Sequence, residues 1–389
     1  MRKAAAIFVV AFLIRLAVAV HLFGALPPHR MWGVNEAGGI AAAIVTARAF
    51  STPFHDAHGP TAWLPPGYPA ILAAVFEIWG VRTSASAVAA VVVNILCASF
   101  TAVLIYRLGA GLFGDLVGLV AAWAWALCPY LALIPFILWD TCLSGLLLTY
   151  GTWLALKEGH SRGGTIWCGV VWGVTGLVNP ALLAAFPFVL IFLWFRDGRR
   201  WGRAAAVLGI SVAVLIPWQA RNFVAFHRVF FVRSNAWAEI YYGNVSFDAH
   251  PVGPTMQYQR EGEIAYEDQL KRQVIEHIEE QPGKFLRDTA GRMFQFWISP
   301  QGFVVFTVPV FLLGICGLGL AARQVGYYAI PFIGTIALYP MVYYVSYIFS
   351  RYRYPIEPIL YIAAAFALME AWKAAVNWLP KVPAELNRE

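Results

Sequence analysis

Long apolar segments separated by short polar turns dominate the pattern of this sequence. A membrane-spanning helix needs about 20 mostly apolar residues, and ten segments of roughly that kind follow one another at 4–24, 86–106, 113–134, 140–156, 165–178, 180–195, 202–217, 303–321, 327–349 and 355–373. The apolar stretch around 69–80 is too brief to count as a further span. The pair flanking Asn179-Pro180 is either two short helices or one kinked helix. The pattern predicts an all-α polytopic membrane protein with a bundle of about ten transmembrane helices.

Composition supports a membrane protein and argues against a soluble one. Hydrophobic residues make up 60% of the 389 positions and charged residues only 13%, whereas a soluble domain carries about 25% charged residues. The net charge of +7 would suggest nucleic-acid binding in a soluble protein, but here most of the surplus lies in short loops between apolar segments, so no nucleic-acid partner is expected. The five cysteines all stand in apolar stretches without paired spacing, which predicts neither disulfides nor a metal site.

One polar insert interrupts the apolar pattern and divides the chain. Residues 217–300 hold 9 Lys/Arg and 10 Asp/Glu, and apolar positions within 267–292 follow helical spacing around a break at Gln281-Pro282-Gly283. We expect two amphipathic helices there, lying on the membrane surface or covering a site, although a solvated helical hairpin without chemistry fits the same pattern. The predicted organisation is a transmembrane module at 1–217 with a first outer loop at 25–68, the insert at 218–300, further spans at 301–375, and a cytoplasmic tail at 376–389.

The distribution of basic residues predicts the orientation. With ten spans and a cytoplasmic N-terminus, the basic loops at 157–164 and 196–203, together with Arg107 and Arg323, fall inside the cell. The first outer loop, the junction at Asp140, the insert and the region of Arg351 then share the extracytoplasmic face. We therefore expect a multi-pass protein of the cell (inner) membrane whose candidate chemistry faces outward.

The first outer loop carries the first candidate residues. Glu36 precedes an apolar stretch that predicts an interfacial helix, where partial burial would raise the basicity of its carboxylate and suit it to deprotonate a hydroxyl. A carboxylate stabilised by a helix N-terminus, with no further role, is the alternative. His55, Asp56 and His58 are candidates to bind substrate or a metal. Their spacing matches no standard metal motif, so a divalent cation has no support from ligand spacing and no cofactor is predicted.

Asp140 and Arg15 are ionisable residues at or within predicted spans. Such residues are expensive in a membrane and usually face a cavity or a partner. Asp140 opens the fourth span, so it is either functional or a partner of the helix dipole. Arg15 lies in the middle of the first span, which predicts either a carboxylate partner elsewhere in the bundle or another structural pairing.

Three arginines near the outer ends of spans are candidate phosphate ligands. Arg221 follows Pro217 at the end of one span, and Arg351 and Arg353 precede Pro355 at the start of another. Guanidinium groups bind phosphate through two parallel hydrogen bonds and stay charged at low dielectric, although interfacial anchoring is their ordinary alternative role. Two acids and several arginines at one face suit a reaction on a lipid-borne phosphate.

Five segments, in this order, resemble the membrane glycosyltransferases of the GT-C fold, in particular the protein O-mannosyltransferases and aminoarabinose transferases of family 39. They are Asn35-Glu36, Pro65–Pro69, Trp139-Asp140, Pro217–Asn222 with Tyr242–Asn244, and Arg351–Pro355. The resemblance implies an extracytoplasmic enzyme that takes a sugar from a polyprenyl-phosphate donor with inversion and passes it to a protein, lipid or glycan.

The same resemblance assigns roles to individual residues. It implies catalytic roles for Glu36 and Asp140, and it suggests substrate contacts from Asn35, Tyr68, Asn222 and Tyr352. The family usually has an acidic pair or a glutamate-containing motif where Asn35-Glu36 stands. Because the first position here is an asparagine, metal ligation by two adjacent carboxylates is not expected.

Two other classes of protein compete with this interpretation. A transporter or flippase of a lipid-linked substrate would show inverted repeats and helices interrupted at the middle of the membrane, but the interruption at Asn179-Pro180 has no counterpart in the other half of the sequence. A non-catalytic assembly subunit has no need for acids and arginines that converge on one face. The enzyme interpretation therefore leads.

Overall fold

The computed structural model describes residues 2–33, 35–51, 53–54, 59–157, 161–246, 256–298 and 303–378. These residues form α-helices and short 3-10 segments, with one isolated antiparallel bridge between Ser51 and Pro60. In chain order the helices are α1 Arg2–Ala25, α2 Glu36–Ala47, α3 Gly67–Trp79, α4 Ser84–Phe113, α5 Asp115–Leu127, α6 Pro129–Leu133, α7 Thr141–Leu156, α8 Arg162–Val178, α9 Phe186–Arg196, α10 Gly202–Phe226, α11 Ala236–Asn244, α12 Met256–Glu261, α13 Glu263–Glu280, α14 Pro282–Ile298, α15 Val304–Gln324, α16 Ile330–Leu338, α17 Met341–Val345 and α18 Glu357–Trp378. The predicted all-α class is confirmed.

All ten apolar segments predicted from the sequence are helical, but they differ in length. Within the described part of the chain, six helical stretches are long and apolar enough to cross a membrane: Arg2–Ala25, Ser84–Phe113, Gly202–Phe226, Val304–Gln324, Gly326–Val345 and Ser350–Trp378. The segment predicted at 113–134 is a pair of helices bent by 56°, which would count as a seventh span. The other three predicted spans form shorter helices, namely α7, α8, and α9 with its preceding 3-10 turn. The chain is therefore a multi-pass membrane protein.

The structure shows where the span predicted at 202–217 ends and what happens at Asn179-Pro180. The span predicted at 202–217 continues through Pro217 to Phe226, so the insert begins later than expected. Asn179-Pro180 separates two helices, because α8 ends at Val178 and the Asn179 side chain caps the 3-10 turn that precedes α9.

The bundle is held by close contacts between helices at small residues. A Cβ added at Gly317 on α15 would lie 1.9 Å from the main-chain oxygen of Ala363 on α18, and one at Gly118 would lie 2.5 Å from that of Tyr106. Helices in lipid associate largely through such close packing, since burial of apolar surface gives little driving force there. These contacts fix α15 against α18 and α5 against α4.

Arg15 in the first span has a structural partner that the sequence did not reveal. Its buried guanidinium donates to the main-chain oxygens of Ala11, Trp125 and Ala126 at 3.1 to 3.3 Å. Trp125 and Ala126 lie in the last turn of α5, where helix carbonyls lack partners within the helix. The cation therefore stabilises the end of α5 before the 56° bend. Of the two alternatives that the sequence left open, the structure shows the structural pairing.

The polar insert folds onto the first outer loop. The predicted pair of amphipathic helices is present as α13 and α14, separated at Gln281. A hydrophobic cluster joins the loop residues Trp32 and Trp63 to Tyr242 of α11 and Leu270 of α13. This packing closes the insert over one end of the helical bundle, where the candidate site lies.

Candidate active site

Two cavities open at the end of the bundle that carries the first outer loop and the insert. The larger has a volume of about 640 Å³ and the smaller about 380 Å³. Trp139, Glu239, Arg351 and Tyr352 line both cavities and so form a shared wall. Residues from segments far apart in the sequence therefore meet at one place.

Glu36 lines the smaller cavity from the first turn of α2. Asn35 caps this helix through its side-chain oxygen, which accepts from the Gly38 N–H at 2.7 Å, while its amide donates to the Leu138 carbonyl at 2.9 Å. The Glu36 carboxylate accepts a hydrogen bond of 3.1 Å from the Trp63 indole N–H. The first outer loop is thereby tied to the segment that leads into α7.

The electrostatic surroundings of Glu36 make it a stronger base than an ordinary glutamate. Burial, followed by the nearby Glu239 carboxylate, raises the pKa of Glu36 to about 7, against the Trp63 hydrogen bond and the charges of Arg233 and Arg351. A carboxylate with a pKa near neutrality can accept a proton efficiently and still be substantially ionised at physiological pH.

Asp140 lines the larger cavity from the residue just before α7. Its carboxylate accepts hydrogen bonds from the Ser144 hydroxyl at 2.8 Å and the Asn179 amide at 3.1 Å. The Asn179 oxygen in turn accepts from the Ala181 N–H at 3.1 Å. The helix break at Asn179-Pro180 thus has a definite effect, since it aims an amide at Asp140.

Arg351 stands in the wall between the cavities without an acidic partner. Its guanidinium carbon lies 4.3 Å from the Phe349 ring centre, 5.0 Å from that of Trp139 and 5.3 Å from that of Tyr352. Among the residues that the structure describes, no carboxylate lies within ion-pair distance of it. Aromatic faces hold a cation in place without neutralising it, so Arg351 is available to an anionic ligand.

Arg233 is a second arginine of the larger cavity, and the sequence did not predict it. Arg233 pairs with Glu239 at 2.9 Å and also donates to the Asn235 side chain. Arg233 and Glu239 both line the larger cavity. The insert contains so many charges that no local pattern distinguishes this pair, because the packing of α11 against the bundle is what brings it to the site.

The structure corrects the predicted phosphate contact of Arg353. This side chain is 2% exposed, pairs with Glu357 at 2.6 Å, and donates to the main-chain oxygens of Trp297 and Thr307 at 2.7 and 2.9 Å. It lines neither cavity. Its guanidinium is used in holding the start of α18 against its neighbours.

Arg221 and Asn222 also have structural partners, in place of the phosphate contact predicted for Arg221 and the substrate contact predicted for Asn222. Arg221 donates to the Phe50 and Thr61 carbonyls at 2.7 Å, and the buried Asn222 amide donates to the Val232 carbonyl at 3.3 Å. Neither residue lines the two cavities, because α10 extends past the predicted boundary and places them in its last turns. They fasten the first outer loop and the start of the insert.

The remaining predicted substrate contacts divide between the two cavities. Tyr68 lines the larger cavity, Asn35 the smaller one, and Tyr352 both. The other predicted substrate contacts, His55, Asp56 and His58, lie outside the described residues.

The described part of the chain contains no group of three or more His, Cys, Asp and Glu side chains arranged to hold a metal ion. The Asn35 side chain is hydrogen-bonded at both its oxygen and its nitrogen. The first-loop motif therefore offers a single carboxylate, which does not fit a metal site built on two adjacent ones.

Comparison of the sequence with protein families gives one match. Residues 64–219, less than half of the chain, match the family described as dolichyl-phosphate-mannose-protein mannosyltransferase. No curated protein matches the sequence.

Solved structures of membrane enzymes superpose over nearly the whole chain. An oligosaccharyltransferase of Archaeoglobus fulgidus, tethered with an acceptor peptide, is 14% identical, with a TM-score of 0.57 and coverage of 95% of this chain and 50% of its own. The oligosaccharyltransferase AglB from Archaeoglobus fulgidus, in complex with an inhibitory peptide and a dolichol-phosphate, is 12% identical with a TM-score of 0.55. The match covers 97% of this chain and 52% of AglB. ArnT from Cupriavidus metallidurans, bound to undecaprenyl phosphate, is 15% identical with a TM-score of 0.54. The match covers 94% of this chain and 62% of ArnT.

The chain thus spans about half the length of the two oligosaccharyltransferases. At this level of identity the superpositions establish the architecture of the bundle. They agree with the family match. The predicted resemblance is confirmed, and the chain has the GT-C fold of membrane glycosyltransferases.

Proposed function

We propose that this protein transfers a sugar from a polyprenyl-phosphate donor to an acceptor on the extracytoplasmic face of the cell membrane, with inversion at the anomeric carbon. The observation that carries the proposal is the wall around Arg351, which places a guanidinium with no acidic partner among the described residues between a cavity containing Glu36 and one containing Asp140. A cation and two carboxylates at one place match the charges that develop when a lipid phosphate departs and an acceptor hydroxyl attacks.

Glu36 acts as the base in this reaction. The acceptor oxygen attacks the anomeric carbon, its proton passes to the Glu36 carboxylate, and the bond between that carbon and the phosphate oxygen breaks. The leaving polyprenyl phosphate keeps the electron pair, and Arg351 stabilises its charge, with Arg233 as a second cation in the larger cavity. Asp140, fixed by Ser144 and Asn179, orients the donor in that cavity.

The lining of the larger cavity suits a lipid-linked donor. Beside its charged residues it has an apolar wall that includes Val178, Phe231 and Val342. Phe231 and Val342 are exposed on the protein surface, so this wall continues to the outside of the bundle. A prenyl chain in the bilayer and a phosphate on Arg351 are compatible with this arrangement. The polyprenyl phosphates bound by AglB and ArnT belong to the same class of ligand.

The orientation is inferred from the opposite end of the bundle. Basic residues gather there, with Lys3 paired to Asp115 and Arg196 bonded to the Lys157 carbonyl. The positive-inside rule assigns this end to the cytoplasm and the two cavities to the outside. A cysteine introduced at position 198 should therefore resist an impermeant reagent on intact cells, and its labelling would contradict the orientation.

The direct test is turnover of undecaprenyl-phosphate-linked radiolabelled mannose, glucose or galactose by the protein in nanodiscs, with a membrane extract as acceptor. Glu36→Gln should reduce turnover by about 10²-fold or more, the usual contribution of a general base. Wild-type turnover should rise as the pH passes about 7, because the base must be ionised.

The matched control is Glu77→Gln, since Glu77 lies on α3 in an exposed pair with Arg48 and lines neither cavity. This variant should keep wild-type turnover. Equal turnover in the Glu36 and Glu77 variants would remove Glu36 from the mechanism. Binding of the donor lipids without any wild-type turnover would favour a lipid transporter.

A further inference from the structure

One face of α13 covers the larger cavity. Ile264, Glu267, Asp268 and Lys271 recur at helical spacing along α13 and line this cavity, and Trp237 of α11 lines it beside them. None of these positions belongs to the motifs recognised in the sequence, and the reaction proposed above does not use them.

Glu267 is the one of these residues that the fold leaves incompletely bonded. It is 4% exposed, and its Oε2 accepts a hydrogen bond of 3.1 Å from the Trp237 N–H in the first turn of α11. Its Oε1 is buried and makes no hydrogen bond of good geometry among the described residues, although the Ala238 N–H lies close enough to the carboxyl group to lower its pKa. A buried polar atom without a partner costs free energy unless a ligand or water supplies one.

Glu263, one turn earlier on the same helix, shows what a purely structural glutamate looks like here. It is 5% exposed, and its two oxygens accept from the Thr61 hydroxyl, the Ala62 N–H, the Ser234 hydroxyl and the Tyr258 hydroxyl at 2.5 to 2.8 Å. These bonds join the first outer loop to the insert. Glu263 does not line the larger cavity, whereas Glu267 does.

The charges around Glu267 favour a neutral, hydroxyl-bearing ligand. Burial raises the pKa of Glu267 to about 8, so its carboxyl group is only weakly ionised at neutral pH and gives little attraction for a cation. Two other acids of this cavity are already neutralised, Asp268 by Arg228 and Glu239 by Arg233. A hydroxyl group can donate to a carboxylate or accept from a carboxyl group, so it satisfies Glu267 in either protonation state.

We infer that Glu267, with Trp237 beside it, forms a subsite for the sugar ring of the lipid-linked donor, in which Oε1 bonds a ring hydroxyl. This inference rests on the proposed function. It gives the insert a direct task, because α13 brings to the cavity a contact that depends on the sugar and is separate from the phosphate contact at Arg351. The subsite recognises neutral hexoses by their hydroxyl pattern.

The experiment compares the affinities of the full chain in nanodiscs for bare undecaprenyl phosphate and for undecaprenyl-phosphate mannose, glucose and galactose. The wild type should bind at least one sugar lipid more tightly than the bare phosphate. Glu267→Ala should weaken binding of that sugar lipid by about 5-fold, the usual value of a hydrogen bond between neutral groups. Binding of the bare phosphate should stay within about 2-fold, and Glu267→Gln should restore part of the loss because an amide can still bond a hydroxyl.

Two control variants separate recognition from folding. Glu276→Gln removes an exposed carboxylate further along α13 and should leave both affinities unchanged, since Glu276 lines neither cavity. Glu263→Ala should loosen the insert and weaken both classes of lipid together.

Each outcome decides a different claim. Equal losses for sugar lipid and bare phosphate in Glu267→Ala would show a structural role and overturn the subsite, as would no loss at all. A wild type that binds no sugar lipid more tightly than the bare phosphate would overturn it as well. Failure of the wild type to bind any of the four lipids would instead remove the proposed function.

Discussion

Replacing Glu36 by glutamine should stabilise the protein above pH 7 while it lowers the proposed activity. The surroundings raise the pKa of Glu36 from its ordinary 4.5 to about 7, and each pKa unit corresponds to about 1.4 kcal/mol. Between these pH values the folded state holds a proton that the unfolded state has released, so stability falls as the pH rises. Above pH 7 the ionised carboxylate costs the folded state about 3 kcal/mol. Glutamine keeps the shape and carries no charge, so it avoids this cost.

The assay is thermal unfolding of both proteins in the same detergent at pH 5 and at pH 8. At pH 5 the two should unfold at similar temperatures, because Glu36 is protonated in the folded wild type. At pH 8 the Glu36→Gln variant should unfold at a temperature several degrees higher. A variant that is less stable at pH 8, or that differs from the wild type equally at both pH values, would refute the electrostatic account of Glu36. Glu77→Gln, which removes an exposed carboxylate, should show no such dependence on pH.

Three further substitutions test the site and the bundle. Arg351→Lys should weaken binding of undecaprenyl phosphate by about 10-fold or more, because an ammonium group cannot form the bidentate contact, and wild-type affinity would exclude Arg351 as the phosphate ligand. Arg353→Met should destabilise the protein by about 3–5 kcal/mol in chemical unfolding, because Glu357 is left buried without its cation, while the lipid affinity of the folded fraction should not change. Gly317→Ala should lower the unfolding temperature because its Cβ would meet backbone, and the matched Gly319→Ala, with open space around it, should not.

The helices could be predicted because their signal is local. Long apolar segments specify membrane spans whatever lies beside them, so all ten predicted segments are helical. The lengths of the helices were harder to predict, because proline has two different effects here. Residues 113–134 contain Pro129 and fold as a bent pair of helices, whereas α10 continues through Pro217.

The roles of the arginines could not be predicted from their position at the membrane edge. Arg353 and Arg351 are two residues apart, yet one is buried against Glu357 and the other faces both cavities. One signal was available, since Glu357 follows Arg353 by four residues, a spacing that favours an ion pair in helical segments. Arg233 and Glu267 carry no comparable signal, because the folding of the insert onto the first outer loop decides which of its many charges reach the cavity.

The two carboxylates of the site are held by neutral donors, and this agrees with a cation between them that has no acidic partner among the described residues. The Trp63 indole donates to Glu36, while the Ser144 hydroxyl and the Asn179 amide donate to Asp140. An arginine in place of these donors would form a buried ion pair, as Arg353 does elsewhere in this bundle. Such a pair lowers the basicity of the acid and occupies the guanidinium. Because neutral groups orient the acids without neutralising them, Glu36 has a pKa of about 7 and Arg351 remains available for a substrate phosphate.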